Sequence, residues 1–167
     1  TLDGTNADDT IFGNGGDDII DGVGGADTLD GGDGNDTIFG NEGDDIVEGI
    51  GGVDTLYGGD GDDVITDNPV DGDVGYMFGG DGDDVITSGY VYVGAVDFKD
   101  TIFGGDGNDI INGAGAGFDT IYGGSKNDTI IGGDHNDMLY GGDGDDLIED
   151  PSWSSIDQGD DTISGGY

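Results

Sequence analysis

Residues Gly4–Thr66 read GTNADDTIF, GNGGDDIID, GVGGADTLD, GGDGNDTIF, GNEGDDIVE, GIGGVDTLY and GGDGDDVIT, seven units of nine residues without a break. The frame resumes at Gly79–Thr87, covers Ala95–Asn112 and, after one extra residue at Gly113, runs through Ala114–Glu149. A last unit fits Ile156–Ser164, and the ends Thr1–Asp3 and Gly165–Gly166 keep the same phase. The ends therefore read as cuts from a longer array, which accounts for the lack of a charged-then-apolar leader.

Position six is Asp in every unit: Asp9, Asp18, Asp27, Asp36, Asp45, Asp54, Asp63, Asp84, Asp100, Asp109, Asp119, Asp128, Asp137, Asp146 and Asp161. Position eight is Ile, Leu or Val throughout, from Ile11 to Ile163. Chance would give the Asp column with odds of about one in 10¹⁰, so the period is a structural repeat. Position one is Gly except at Ala95, Ala114 and Ile156.

Composition alone reads differently. Forty acidic residues against two lysines give a formal charge of −38, and 41 of 167 residues are Gly. Such a chain ordinarily stays disordered, because it cannot bury enough apolar surface to offset chain entropy. The charge also excludes direct nucleic-acid binding, which needs Lys and Arg to displace counterions, and disfavours anionic membrane surfaces. No apolar run is long enough to span a bilayer. With no Cys there is neither a disulfide framework nor a thiolate metal site.

The β-branched and aromatic bias at positions seven to nine predicts a strand of about three residues. Positions one to six form the turn, where Gly at one, two and four permits positive φ; Asn14 and Asn41 at position two suit the same conformation. One buried aliphatic side chain per nine residues is a thin core, too little to order a unit alone. Two units turned back on each other make a coil of 18 residues, with unit n stacked on unit n+2 at a strand spacing of ~4.8 Å. Asp9, Asp27, Asp45 and Asp63 then fall in one column, and Asp18, Asp36 and Asp54 in another. Carboxylates ~5 Å apart repel by ~3 kcal/mol at an effective dielectric of 20, and a cation between them reverses the sign. Carboxylate and carbonyl oxygens in a flexible cage suit Ca²⁺ better than Mg²⁺.

The units resemble the nonapeptide G-G-x-G-x-D-x-U-x of the RTX (repeats-in-toxin, hemolysin-type) calcium-binding family. Gly58–Thr66, Gly79–Thr87, Gly104–Asn112 and Gly141–Glu149 match every fixed position. The resemblance implies an all-β fold, a right-handed parallel β-roll of two short-stranded parallel sheets, with Ca²⁺ in the turns held by the fifteen position-six aspartates and loop carbonyls. It further implies a segment of a larger secreted, extracellular or cell-surface Gram-negative protein, exported by a type I system and folding in external calcium.

The pattern weakens in places. The chain divides into a regular block at 1–66, interrupted and degenerate repeats with insertions at 67–103, a regular block at 104–149, and an insertion with a terminal repeat at 150–167, all one continuous solenoid. Val70–Phe78 reads as a ruined unit, with Met77 at position eight but Gly75 where Asp belongs. Phe98 and Lys99 disturb one turn and Phe118 another. About 8–12 Ca²⁺ are expected from the intact column pairs. Nothing predicts catalysis: paired carboxylates such as Asp17–Asp18 suit glycoside hydrolysis, but they recur in nearly every unit and read as a ligand beside a solvated neighbour. His135 and Lys126 at position four read as solvent-facing substitutions.

The Thr/aromatic pairs at positions seven and nine (Thr10/Phe12, Thr37/Phe39, Thr55/Tyr57, Thr101/Phe103, Thr120/Tyr122) read as cross-strand packing rather than a binding row. Two other functional classes stay open. One is an adhesive or spacer segment, binding a glycan or protein through insertions at 67–78, 88–94 and 150–155, which carry Tyr90–Tyr92 and Trp153. The other is the export module of a secreted protease, lipase or toxin. Open solenoid ends also allow self-association.

Overall fold

The computed structural model describes residues 1–68, 75–89, 99–113, 117–133, 135–149 and 162–165. Within them the chain is all-β, with 17 strands in two parallel sheets and no helix. The nine-stranded sheet holds β1 (Leu2–Thr5), β3 (Ile19–Gly24), β5 (Thr37–Glu42), β7 (Thr55–Asp60), β9 (Tyr76–Asp81), β11 (Thr101–Asp106), β13 (Thr120–Ser125), β15 (Met138–Asp143) and β17 (Thr162–Ser164). The eight-stranded sheet holds β2 (Thr10–Phe12), β4 (Thr28–Asp30), β6 (Ile46–Gly49), β8 (Val64–Asp67), β10 (Val85–Ser88), β12 (Ile110–Asn112), β14 (Thr129–Ile131) and β16 (Leu147–Glu149). Consecutive strands alternate between sheets, and each pairs with the strand two along, which is the β-roll expected from the period.

Register follows the repeat. Ile20 pairs with Ile38 and Leu29 with Val47, 18 residues apart. The wider spacings, Leu56 with Met77 and Met77 with Ile102, fall where the sequence carries insertions, yet position eight still faces position eight. Met77 thus fills the core site of the ruined unit, as expected. Thirteen position-eight side chains, from Ile20 to Leu139, are fully buried between the sheets in one cluster. Positions seven and nine point outward, as the period-two alternation of a strand requires.

The two edges of the roll differ. From the nine-stranded to the eight-stranded sheet, every crossing from β3–β4 to β15–β16 takes three residues, as between Gly24 and Thr28 or Asp143 and Leu147. The return crossings vary: Asp67 leads to Tyr76 and Ser88 to Thr101. Gly75, Lys99, Phe118 and His135 all lie on this variable edge. Gly113 stands here in position one rather than outside the frame: its N–H donates to Ile131 O (2.8 Å), as Gly31 N–H does to Glu48 O (2.9 Å). The extra residue of that unit therefore falls after Gly113.

Outward on the nine-stranded sheet, Phe39, Tyr57, Phe78, Phe103, Tyr122 and Tyr140 form a continuous stack, with ring centroids 4.8–5.1 Å apart and planes within 9° of parallel. Each inner ring has both faces covered by its neighbours, so the row is cross-strand packing. Phe12 does not join it. It lies on the other sheet, opposite Asp30, and is 55% exposed.

Candidate metal-binding edges

Parallel stacking puts position-six aspartates in two columns, one along each edge. On the constant edge the backbone N–H of Asp9 donates to Asp27 Oδ1 (2.8 Å), Asp27 to Asp45 (2.7 Å), Asp45 to Asp63 (2.8 Å) and Asp63 to Asp84 (2.9 Å). Asp84 continues to Asp109 (2.9 Å), Asp109 to Asp128 (2.9 Å) and Asp128 to Asp146 (3.0 Å). On the variable edge Asp18 donates to Asp36, Asp36 to Asp54, Asp100 to Asp119 and Asp119 to Asp137, at 2.7–2.9 Å. One oxygen of each carboxylate is thus committed to the coil before it.

The other oxygen is the informative one. Oδ2 of Asp27, Asp36, Asp45, Asp63, Asp84, Asp109, Asp128 and Asp146 is buried and has no hydrogen-bond partner. A buried, unsatisfied carboxylate oxygen is costly, and its regular recurrence calls for a ligand. Each lies against its own position-one glycine: a Cβ on Gly40 would collide with Asp45 Oδ2, and one on Gly104 with Asp109 Oδ2. The carbonyl oxygen of the next coil's position-one glycine borders the same space, 2.8 Å from a Cβ built on Gly58. Position-one glycines are therefore required for room. None of them has positive φ on the constant edge, contrary to the sequence expectation; positive φ falls at positions two and four, as at Gly59 (130°) and Gly61 (137°). Asn14 and Asn41 take it as expected, and Val23 takes it at 80°.

Electrostatics point the same way. Burial, reinforced by neighbouring carboxylates, pushes Asp63 and Asp109 up to about 7 and Asp84 up to about 6. Asp119 rises to about 8, from burial and from Asp100 beside it. Without counter-charge, burial thus disfavours the ionised form of each of these groups. No three acidic or histidine side chains converge on one point among the described residues. The donors instead come as single carboxylate oxygens and backbone carbonyls spread along each edge. These are hard oxygens, and they fit a hard divalent cation such as Ca²⁺.

Position five carries a ladder that sequence reasoning missed. Asp62 N–H donates to Asp44 Oδ1 (3.1 Å), Asp83 N–H to Asp62 Oδ1 (2.9 Å) and Asn108 N–H to Asp83 Oδ1 (2.8 Å). Asp145 N–H donates to Asn127 Oδ1 (2.8 Å), and Asn35 N–H to Asp17 Oδ1 (2.9 Å). Asp17 is thus not merely solvated. This ladder runs opposite to that of position six and needs only an acceptor oxygen. The signal was the free exchange of Asp and Asn at position five, set against invariant Asp at six.

On the variable edge Lys99 Nζ sits 5.5 Å from the centre of the Phe118 ring, and His135 meets the same ring edge-on at 5.7 Å. His135 therefore packs against an aromatic neighbour instead of facing only solvent, whereas Lys126 is exposed. Asp161, Tyr90–Tyr92, Phe98 and Trp153 lie outside the described residues, as do most of the insertions proposed to bind a glycan or protein.

The model of the RTX calcium-binding nonapeptide repeat (4 copies) matches residues 1–29, 21–52, 48–68, 76–89, 97–115 and 114–148, well over half of the chain. No curated protein matches the chain.

Proposed function

Because the chain belongs to the RTX calcium-binding nonapeptide repeat family, and is a calcium-binding β-roll segment, we propose that cations sit between successive coils along both edges. The ligands are the position-six aspartates, Asp161 among them, with backbone carbonyl oxygens of the turns. The observation that carries this reading is the row of buried, unpartnered Oδ2 atoms on the constant edge. Bound Ca²⁺ supplies the positive charge that lets these carboxylates stay ionised while buried. The chain's own part is to hold them in register through the backbone ladders and to leave room for the ion at each position-one glycine.

The role that follows is a folding switch. In this reading the segment belongs to a larger secreted bacterial protein, unfolded at low cytosolic calcium and folding outside the cell. Ca²⁺ binds the native coil and hardly the unfolded chain, so binding free energy becomes folding free energy. The segment itself carries out no catalysis. Native mass spectrometry of the calcium-loaded protein tests the assignment: about 8–12 ions per chain support it, and one or two ions, or none, would overturn it.

A further inference from the structure

The variable edge lacks one position-six aspartate, because Gly75 stands in its place. The register shows where the carboxylate went. In the eight-stranded sheet Gly49, a position-one glycine, pairs with Asp67, and Asp67 pairs with Ser88. Asp67 thus occupies the position-one site of this coil, and the ruined unit begins at Asp67 rather than Val70. In every intact turn the position-six carboxylate fills the space beside a position-one glycine, as Asp54 does beside Gly49. Here the geometry is reversed: a Cβ on Gly75 would collide with Asp67 Oδ2 and would lie 3.5 Å from Asp100 Oδ1. Asp67 is 1% exposed. The backbone of Gly75 still performs the position-six task, its N–H donating to Asp100 Oδ1 at 2.9 Å.

We infer that Asp67 and Gly75 have exchanged the parts played elsewhere by the position-one glycine and the position-six aspartate, so that Asp67 supplies this coil's buried carboxylate from the opposite wall of the same gap. Either arrangement leaves one carboxylate and one glycine facing each other, and a turn with two carboxylates or two glycines is overfilled or hollow. The next coil is a variation on this: Ser88, paired with Asp67, stands at position one where the sequence frame put Ala95, is 2% exposed and gives its hydroxyl to the Asp100 carboxylate. The variable edge therefore keeps its acidic column through the interruption. Resting on the calcium reading above, it also keeps a cation ligand between the coils of Asp54 and Asp100.

The test is a swap in the full chain: Asp67→Gly, Gly75→Asp, and both together. Each single change lowers the melting temperature in calcium by about 5 °C, and the double change, which recreates the regular turn, recovers most of the loss. Asp67→Asn, which keeps the shape and removes the charge, lowers the calcium count by at least one ion. A double variant no better than the worse single would overturn the exchange, and so would an Asp67→Gly protein that melts like the parent. An unchanged ion count in Asp67→Asn would overturn the ligand role. Failure of the calcium reading itself gives a different result, a parent whose melting ignores calcium. In that case recovery by the double variant still decides the exchange.

Discussion

Asp62 and Asp63 are neighbours with different tasks, and replacing each by Asn separates them. Asp63 is 1% exposed; its Oδ1 accepts the Asp45 N–H, and its Oδ2 has no partner. It borders two inter-coil gaps, toward Asp45 and toward Asp84. With calcium at a hundredfold excess over its dissociation constant, each ion contributes ~2.7 kcal/mol. Asp63→Asn, abolishing one or both, should cost about 3–5 kcal/mol in calcium and move the calcium midpoint of folding several-fold higher. Asp62 only accepts the Asp83 N–H (2.9 Å), which an amide oxygen also does, so Asp62→Asn should stay within ~0.5 kcal/mol of the parent. Without metal the sign reverses above about pH 7, where Asp63 is ionised in the folded coil, because the change then removes a charge that repels each ionised neighbour by ~3 kcal/mol at ~5 Å and an effective dielectric of 20. Calcium titrations followed by far-ultraviolet circular dichroism, with urea unfolding at saturating calcium, measure both variants. Equal shifts for Asp62→Asn and Asp63→Asn would refute the division of labour, and an unchanged midpoint in Asp63→Asn would refute its role as ligand.

Further outcomes follow from the same geometry. Gly104→Ala forces a Cβ into Asp109 Oδ2 and to 2.5 Å from Gly123 O, and overpacking of this kind should cost about 1–3 kcal/mol in urea unfolding. Gly16→Ala has open space but φ of 99°, so its cost should be the smaller ~1–2 kcal/mol of left-handed backbone. Val23 sits at φ 80°, and Val23→Gly should raise stability by up to ~1 kcal/mol as relief of that strain exceeds the added chain entropy. The pH dependence in EDTA has a definite sign. Asp63, Asp84, Asp109 and Asp119 are raised from 3.8 to about 7, 6, 7 and 8. The folded state therefore holds protons that the unfolded chain has lost. Metal-free stability is greatest below about pH 4 and is lost as pH rises toward 7–8. Circular dichroism in EDTA should show strand signal returning on acidification, and a signal that instead grows with pH would contradict this.

Much of the account was legible in the residues themselves. Invariance at positions six and eight gave the columns and the core; the columns stand for the described aspartates and the core from Ile20 to Leu139 with Met77 included, whereas Ile11 and Ile148 are only partly buried and Ile163 is 53% exposed. The position-one glycine was misread, because sequence shows that a side chain is absent but not whether φ or space forbids it. Here the collision with an Asp oxygen decides. The position-five ladder was missed because a lone frame suggests solvent for any acidic residue outside the fixed motif. The exchange at Asp67 and Gly75 was hidden by the inserted residues, which shift the apparent frame to Val70. Only the pairing of Asp67 with Gly49 and Ser88 restores it. The aromatic stack was half legible: Phe39 and Tyr57 fall in one row, while Phe12, with the same local sequence, falls on the opposite sheet.

The most direct measurement is far-ultraviolet circular dichroism of the chain at pH 7.5, first in excess EDTA and then on adding calcium. A coil-like spectrum in EDTA that converts to a strand spectrum with calcium is the predicted result. A strand spectrum already complete in EDTA, unchanged by calcium, would show that the thin aliphatic core and the backbone ladders hold the roll without any cation, contradicting the central claim.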